Sequence, residues 1–357
     1  MDIRKRDFLA AGAVLGAGIA AGNAVAQPAG PRRPRPINSG TQPSTVDMNY
    51  KPRRLNKCIE LWEDNQPIYY TGPGTGPGVD PYEQGLKMSR TWADAICYDM
   101  EHNSLDFTAL REFMRGVVDG GPTRSGHRFP MVFVSTPIIG LNEAYAWANS
   151  WVFSQLLDCG IMGIHVCHAR DPKAIEVIAQ ACVRFPFQYP NVPKLKYEGL
   201  RGSPQNGAAG VWGMSQGEYL HKADTWPMNP HGEMIFGVKI EDVHCDANVD
   251  QTLAVKGITM AEWGPGDHAY SLYGLEAFPE DGHSLGELAA RPEMVKVRQK
   301  VVDLCKKNNL KFLNAGRAAD NSVDSVIQQI KDGAMVIESD EEAAIKGREY
   351  TKRKMPV

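Results

Sequence analysis

The sequence lacks several patterns that would assign it to a familiar class of protein. Its seven cysteines form no C-x-x-C pair and most lie in apolar runs, which favours buried free thiols over a disulfide framework. The net charge is only −3 in 357 residues, so nothing indicates binding to nucleic acid or to an anionic membrane. No G-x-G-x-x-G turn follows the first apolar run, which leaves a dinucleotide-binding fold unsupported. The glycine-rich stretch 72–78 is not followed by Gly-Lys-Ser/Thr and is predicted to be a surface loop.

The N-terminus is apolar, but not over a stretch long enough to span a bilayer. Basic residues 4–6 precede a run rich in glycine and alanine at 8–21, and Ala24-Val25-Ala26 has the pattern of a cleavage site. Residues 1–26 are therefore predicted to be a signal peptide. Residues 5–9 resemble the twin-arginine export motif with lysine in place of the first arginine, and an ordinary secretory signal is the alternative. We expect export to a bacterial periplasm.

The remaining chain divides into an arm and one large domain. Residues 27–56 are rich in proline, arginine and serine and predict a flexible arm. From residue 57 to residue 357, short apolar runs alternate with stretches of helical periodicity. The runs are 58–62, 95–98, 131–135, 163–166, 234–240, 258–263, 311–314 and 335–337. Eight such units in about 300 residues favour a closed (β/α)8 TIM barrel over an open doubly wound sheet.

Acidic residues and a histidine follow three of these predicted strands. In a barrel of this kind, residues just beyond the C-terminal ends of the strands form the active site. The second run leads into Asp99-Met100-Glu101-His102, the fifth carries Lys239-Ile240-Glu241, and the sixth leads into Gly264-Pro265-Gly266-Asp267-His268. Glu241 and Asp267 offer oxygen ligands that suit Mg2+ or Mn2+ and leave positions for substrate and water. Because any barrel has acidic residues at its strand ends, a structural role is the alternative at this point.

These motifs, in this order, resemble those of the HpcH/HpaI aldolases, which cleave 4-hydroxy-2-oxo acids to pyruvate and an aldehyde. The resemblance covers residues 58–336, with large divergence between the motifs. Besides the three strand-end motifs, two further stretches resemble motifs of the family. They are Leu156-Leu157-Asp158-Cys159-Gly160 and Leu200-Arg201-Gly202. It implies a barrel of the phosphoenolpyruvate/pyruvate-binding type and a divalent-metal-dependent carbon–carbon lyase, of the class II aldolase kind.

The resemblance also implies a role for each matching residue. Glu241 and Asp267 would bind a divalent cation, Mg2+, Mn2+ or Co2+, that holds the oxo acid. His102 would be the general base, and a hydrogen bond from Asp158 would fix its tautomer. The backbone N–H groups of Gly266 and Asp267 would bind the substrate carboxylate.

Three positions depart from the family pattern. Phe133 stands where the family has an arginine that stabilises the enolate oxygen, Lys239 replaces a glutamine, and His268 replaces a leucine after the metal aspartate. Since Lys239 and Glu241 share one face of their strand, Lys239 is a candidate to supply the missing positive charge. Phe133 and His268 are expected to line the substrate pocket. Trp62, at the end of the first run, matches an aromatic pocket residue, with core packing as the alternative.

The lost arginine leaves the reaction open. The expected activity is cleavage of a 4-hydroxy-2-oxo acid, and the alternative is a related metal-dependent lyase acting on another acid or acyl substrate. An exported binding protein without turnover, a structural periplasmic protein and a Lys239 Schiff-base aldolase are further alternatives. His168 could line the pocket, whereas a metal site shared by His165 and His168 is disfavoured because residues three apart on a strand face opposite sides. The family also implies a homo-oligomer whose C-terminal helix, here residues 341–352, packs on a neighbour.

Overall fold

The computed structural model describes residues 45–203, 206–280, 282, 285–315 and 323–357. Eight parallel strands follow one another around a closed barrel, and the last pairs with the first. The strands are β1 (Ile68–Thr71), β2 (Ala95–Asp99), β3 (Met131–Ser135), β4 (Gly163–Val166), β5 (Ile235–Ile240), β6 (Met260–Trp263), β7 (Lys311–Asn314) and β8 (Ala334–Glu338). This topology confirms the predicted (β/α)8 barrel.

Helices connect successive strands and cover the outside of the barrel. They are α1 (Lys57–Glu63), α2 (Pro81–Met88), α3 (Phe107–Asp119), α4 (Glu143–Ala148), α5 (Ser150–Asp158), α6 (Pro172–Val177), α7 (Asn206–Trp212), α8 (Gln216–Lys222), α9 (Val243–Thr252), α10 (Pro265–Tyr273), α11 (Leu285–Ala289), α12 (Pro292–Asn308), α13 (Val323–Asp332) and α14 (Glu341–Tyr350). The described helices include none that is long and apolar enough to cross a membrane. All seven cysteines are free and six of them are buried, as the sequence indicated.

The start of the barrel differs from the prediction. Residues 58–62 are not the first strand but lie in α1, and β1 begins six residues later. The Asn56 side chain begins this helix by accepting hydrogen bonds from the backbone N–H groups of Cys58 at 3.0 Å and Ile59 at 3.4 Å. A five-residue apolar run fits a buried strand or a buried helix equally well, and here every residue of the run is buried on a helix.

Trp62 therefore lies away from the predicted pocket. Its indole Nε1 donates a hydrogen bond of 3.0 Å to the carbonyl of Met335, near the start of β8. The ring also stacks with Trp226, with 6.1 Å between centroids. The prediction that Trp62 binds substrate is wrong, and its alternative, core packing at the N-terminal end of the strands, is what the structure shows.

Phe133 fills the interior of the barrel below the mouth. Its ring contacts Tyr70 of β1 and His165 of β4, with centroid separations of 5.6 and 5.8 Å. On β3 it pairs with Cys97, whereas Ser135 pairs with Asp99 at the strand end. The expectation that Phe133 lines the substrate pocket is therefore wrong, because Ser135 is the residue of β3 that reaches the mouth on that face.

Both ends of the described chain contact the barrel. The last part of the predicted flexible arm is bound to α1. There the Glu60 carboxylate accepts hydrogen bonds from three groups of the arm, the backbone N–H groups of Arg53 and Arg54, each at 2.9 Å, and the Tyr50 hydroxyl. The predicted flexibility does not extend to these residues, while residues 1–26 and 27–44 lie outside the described part. Helix α14 packs on its own barrel, where a Cβ added at Gly347 would lie 2.0 Å from the Tyr69 hydroxyl.

Candidate active site

Charged side chains from four strands meet at the C-terminal mouth of the barrel. We call this set the mouth cluster. Its members are Asp99, Glu101, His102, His168, Lys239, Glu241 and Asp267. Each follows or ends a strand, because parallel strands in a barrel place all of their C-terminal ends on one face. The structure thus brings together four residues that the sequence predicted, His102, Lys239, Glu241 and Asp267.

Lys239 is at the centre of the mouth cluster. Its Nζ lies 2.5 Å from Glu101 Oε2 and 2.8 Å from Glu241 Oε2. Burial would lower the pKa of Lys239, but the carboxylates around it, among them Glu241 and Glu101, outweigh burial and hold the pKa well above its usual value. Lys239 is thus an ammonium at neutral pH, bridging β2 and β5.

Glu241 is fully buried and is fixed in place from two sides. Its Oε1 accepts a hydrogen bond of 2.7 Å from the backbone N–H of His168. A Cβ added at Gly264, at the end of β6, would lie 2.7 Å from Glu241 Oε2, so only glycine leaves room for this carboxylate. Burial raises the pKa of Glu241, which means that the site must supply positive charge to keep it ionised.

His102 has a different partner from the one predicted. Its Nδ1 lies 2.9 Å from Asp99 Oδ2 and its Nε2 lies 3.5 Å from Asp267 Oδ2. These interactions, first that with Asp267 and then that with Asp99, raise the pKa of His102 to about 10. The histidine is about half exposed and faces the open mouth.

The predicted contact between His102 and Asp158 is wrong within this chain. Asp158 is the last residue of α5, at the face where the strands begin, and its Oδ2 accepts a hydrogen bond of 2.7 Å from Arg111 Nη2. Asp99, three residues before His102, takes the predicted role. The sequence contained a signal for this partner. Asp99 is the first residue of the D-x-E-H motif, and it comes within reach of the histidine because the strand ends at Asp99.

His268 also faces away from the mouth. It is fully buried, and its Nε2 lies 2.9 Å from Asp246 Oδ2 of α9. Its predicted role in substrate binding is therefore wrong. Gly266 and Asp267, by contrast, occupy the first turn of α10, where backbone N–H groups lack helical partners, and a Cβ added at Gly266 would meet nothing within 4 Å.

Glu262 and His165 form a buried pair inside the barrel that the sequence did not indicate. His165 Nε2 lies 3.4 Å from Glu262 Oε2. Burial raises the pKa of Glu262 to about 8 and lowers that of His165 to about 3, so both are largely neutral at pH 7. Both face inward on strands whose alternation gave no reason to expect polar interior residues.

The mouth cluster fits a divalent cation. Two buried carboxylate oxygens of the mouth cluster, Glu101 Oε1 and Glu241 Oε2, have no hydrogen-bond donor among the described residues. Lys239 lies close to the second of these, but not in the direction that a hydrogen bond requires. A buried polar atom without a partner costs on the order of 1–3 kcal/mol, and a bound cation would remove that cost. Glu101, Cys167 and Glu241 also offer ligand atoms that lie within 4.8 Å of one another.

A pocket of about 730 Å³ opens beside His102. The glycine-rich loop at 74–77, expected to be a plain surface loop, forms one wall, and β2 and α3 form others. Of the described residues that line the pocket, Asp99 and Asp106 are acidic and none is lysine or arginine. Away from His102, the pocket therefore favours a neutral group over an anionic one.

No family model matches the sequence, and no curated protein sequence matches it. Several solved structures do match the chain. The chain is similar to an HpcH/HpaI aldolase/citrate lyase family protein from Burkholderia cenocepacia J2315, with 19% identity, a TM-score of 0.59 and coverage of 81% of this chain and 94% of that chain. It is also similar to the HpcH/HpaI aldolase from Desulfitobacterium hafniense DCB-2, with 16% identity, a TM-score of 0.53 and coverage of 82% and 93%. A third similar structure is that of macrophomate synthase, with 19% identity, a TM-score of 0.51 and coverage of 82% of this chain and 87% of that chain. The chain therefore has the barrel fold of HpcH/HpaI aldolase/citrate lyase proteins, as its motifs predicted.

Proposed function

We propose that the protein is a metal-dependent carbon–carbon lyase that cleaves a 4-hydroxy-2-oxo acid to pyruvate, or a related 2-oxo acid, and an aldehyde. The observation that carries the proposal is the meeting of Glu241, Asp267, His102 and Lys239 at one mouth of the barrel. The similar solved structures include one named an aldolase and one named macrophomate synthase, so the fold by itself does not choose the reaction.

The metal and the start of α10 together suit a 2-oxo acid. A divalent cation held by Glu241 and Asp267 would supply Lewis-acid polarisation of the substrate ketone. The N–H groups in the first turn of α10, at Gly266 and Asp267, would bind the substrate carboxylate, because helix N-termini favour anions. The substrate would thus be held at its acid end, with its bond to be cleaved directed toward His102.

Lys239 is suited to stabilise the charge that develops during cleavage. Its ammonium is buried and fixed between two glutamates, so it needs no rearrangement when an enolate oxygen forms nearby. This placement supports the hypothesis that Lys239 replaces the arginine that the family has on β3. The inward-facing residues near the end of that strand, Phe133 and Ser135, carry no charge.

His102 is suited to move the proton. In the cleavage direction its Nε2 takes the proton of the 4-hydroxyl group, the C3–C4 bond breaks, and the electron pair of that bond becomes the enolate of pyruvate. The aldehyde leaves through the adjacent pocket. A base must first be neutral, and binding of Asp267 to a cation would remove the largest cause of the raised pKa of His102.

A related lyase acting on a different acid or acyl substrate is the second candidate. The absence of an arginine on β3 favours it, because loss of one preorganised charge at an oxyanion costs about 10²–10³ in rate. The two candidates share the metal and differ in the bond that is cleaved.

The experiment is a measurement of pyruvate release from a panel of 4-hydroxy-2-oxo acids, coupled to NADH oxidation by lactate dehydrogenase. The full chain would be supplied with Mn2+, Co2+ or Mg2+, or with chelator. We expect metal-dependent release that is fastest with substrates whose aldehyde half is uncharged, because no lysine or arginine is among the described residues that line the pocket beside His102. His102→Asn is expected to slow it by about 10²-fold or more. If the chain binds metal but releases pyruvate from none of them, the aldolase proposal fails and the second candidate replaces it.

A further inference from the structure

His168 is held more firmly than a residue that merely lines a pocket. Its backbone has φ of +49°, in the left-handed region that non-glycine residues rarely adopt. The backbone N–H donates to Glu241 Oε1 at 2.7 Å, and the ring Nδ1 lies 2.6 Å from Asp242 Oδ2. Strain of this kind persists where surrounding contacts determine the conformation, and it is concentrated at functional sites.

Asp242 is in turn fixed by its own contacts. Its Oδ2 also accepts a hydrogen bond of 2.7 Å from Arg170 Nε, and its Oδ1 caps α9 by accepting from the N–H groups of His244 at 2.8 Å and Cys245 at 2.9 Å. Because three other N–H groups donate to it, the Asp242 carboxylate is an acceptor, so the hydrogen of its bond to His168 lies on Nδ1 and Nε2 is the ring nitrogen that faces the mouth.

His168 Nε2 faces the two glutamates of the mouth cluster from the side opposite to Lys239. It lies 3.6 Å from Glu101 Oε1 and 3.9 Å from Glu241 Oε1, whereas Lys239 takes the Oε2 atom of each glutamate. Both distances are too long for a hydrogen bond. Two atoms bound to one ion at about 2.1 Å each lie at most about 4.2 Å apart, so Nε2 and Glu241 Oε1 can share a cation.

We propose that His168 Nε2 is a protein ligand of the cation that Glu241 binds, and that Asp242 is the positioning residue that orients it. The inference rests on the proposed function, which requires the cation. A histidine that binds a metal almost always donates its other N–H to a carboxylate or carbonyl, and the His168–Asp242 pair has this arrangement. An imidazole ligand shifts a site of carboxylates away from Mg2+ and toward Mn2+, Co2+ or Zn2+.

Electron spin echo envelope modulation of Mn2+ bound to the full chain tests the proposal directly. A nitrogen bound to Mn2+ gives 14N modulation, whereas carboxylate and water ligands give none. We expect 14N modulation in the wild type, its loss in His168→Gln, and its retention in His102→Gln, the matched control for the other histidine at the mouth. Circular dichroism would check that each variant folds.

Affinity supplies a second measurement that does not depend on His168→Gln being stable. We expect Asp242→Asn to weaken Mn2+ binding about 10–100-fold while the 14N modulation persists. Mn2+ binding without 14N modulation in the wild type, or modulation lost in His102→Gln and kept in His168→Gln, would overturn this inference and leave the proposed function standing. A wild-type chain that binds no Mn2+ at all would overturn both.

Discussion

Lys239 of β5 and Glu241, the first residue after that strand, lie two positions apart, and the ammonium of the first lies 2.8 Å from Oε2 of the second. The same ammonium lies 2.5 Å from Oε2 of Glu101, two residues after the end of β2. A buried positive charge thus occupies the mouth of the barrel next to the proposed metal ligands. Under the proposed function this ammonium would stabilise the enolate oxygen, since Phe133 and Ser135 of β3 carry no charge.

Lys239→Gln restores the residue type that the family has at this position and removes the charge. We expect the rate of pyruvate enolisation to fall by about 10²–10³, because a preorganised charge near the developing oxyanion is lost. Binding of Mn2+, measured by calorimetry, is expected to persist, since the substitution removes a positive charge that repels the cation. Lys331→Gln, at an exposed position of α13, is the control. Unchanged enolisation in Lys239→Gln would show that Lys239 does not replace the arginine.

The sequence was sufficient to predict the barrel and most of the mouth, because both depend on local patterns. Seven of the eight predicted strands coincide with or overlap β2 to β8. Glu241 and Asp267 could be placed at one face because parallel strands all end there. The first strand was misassigned because α1 is buried on every side, and burial removes the amphipathic period that distinguishes a helix from a strand.

Contacts between distant parts of the chain could not be predicted in the same way. His168 and Asp242 are 74 positions apart, and neither belongs to a motif that would indicate a pair. Asp158 was assigned to His102 by resemblance alone, although α5 places it at the opposite face. Burial of Glu262 inside the barrel depends on the register of β6, which no local pattern indicates.

The Asp94 carboxylate contacts three buried cations at the N-terminal face of the barrel. Arg353 Nη2 and Nη1 lie 2.6 and 2.7 Å from its two oxygens, Lys57 Nζ lies 3.3 Å away and Arg348 Nη2 lies 3.5 Å away. Asp94→Asn leaves these cations without their partner, and we expect a loss of about 3–5 kcal/mol in the free energy of unfolding. Urea denaturation followed by tryptophan fluorescence measures it.

Asp64→Asn is the control for Asp94→Asn. Asp64 pairs with Arg53 at 2.7 Å, but both side chains are exposed. Because exposed ion pairs contribute about 0–1 kcal/mol, we expect a change of that size or less. Equal effects of the two substitutions would contradict a special role for the buried cluster.

Close packing of α2 on α3 depends on two glycines. A Cβ added at Gly85 would lie 2.1 Å from the carbonyl oxygen of Phe113, and one added at Gly116 would lie 2.1 Å from that of Tyr82. Gly85→Ala is expected to lower the free energy of unfolding by about 1–3 kcal/mol, because the helices must separate. Gly217→Ala, at an exposed position of α8, is the control. It should be neutral or stabilise by up to about 1 kcal/mol, since alanine favours a helix.

Glu60 should make the free energy of unfolding depend on pH in the acid range. Although burial raises its pKa, hydrogen bonds from His127 and Tyr50 lower the pKa from 4.5 to about 2. Because the folded value is the lower one, the stabilisation is complete above about pH 4.5 and is lost as the pH falls through about 2. We expect the free energy of unfolding of the wild type to exceed that of Glu60→Gln by about 3 kcal/mol at pH 6. The difference should vanish near pH 2. A difference that does not change with pH would contradict this assignment.

Exchange of the pyruvate methyl hydrogens for deuterium, followed by NMR, shows whether the protein forms a pyruvate enolate. Exchange reports enolisation at the mouth cluster without knowledge of the aldehyde. We expect exchange with Mn2+ or Co2+ that stops with chelator and is lost in Glu241→Gln and His102→Ala. No exchange by a chain that binds Mn2+ at Glu241 and Asp267 would contradict a pyruvate enolate as the intermediate and would favour the lyase with a different substrate.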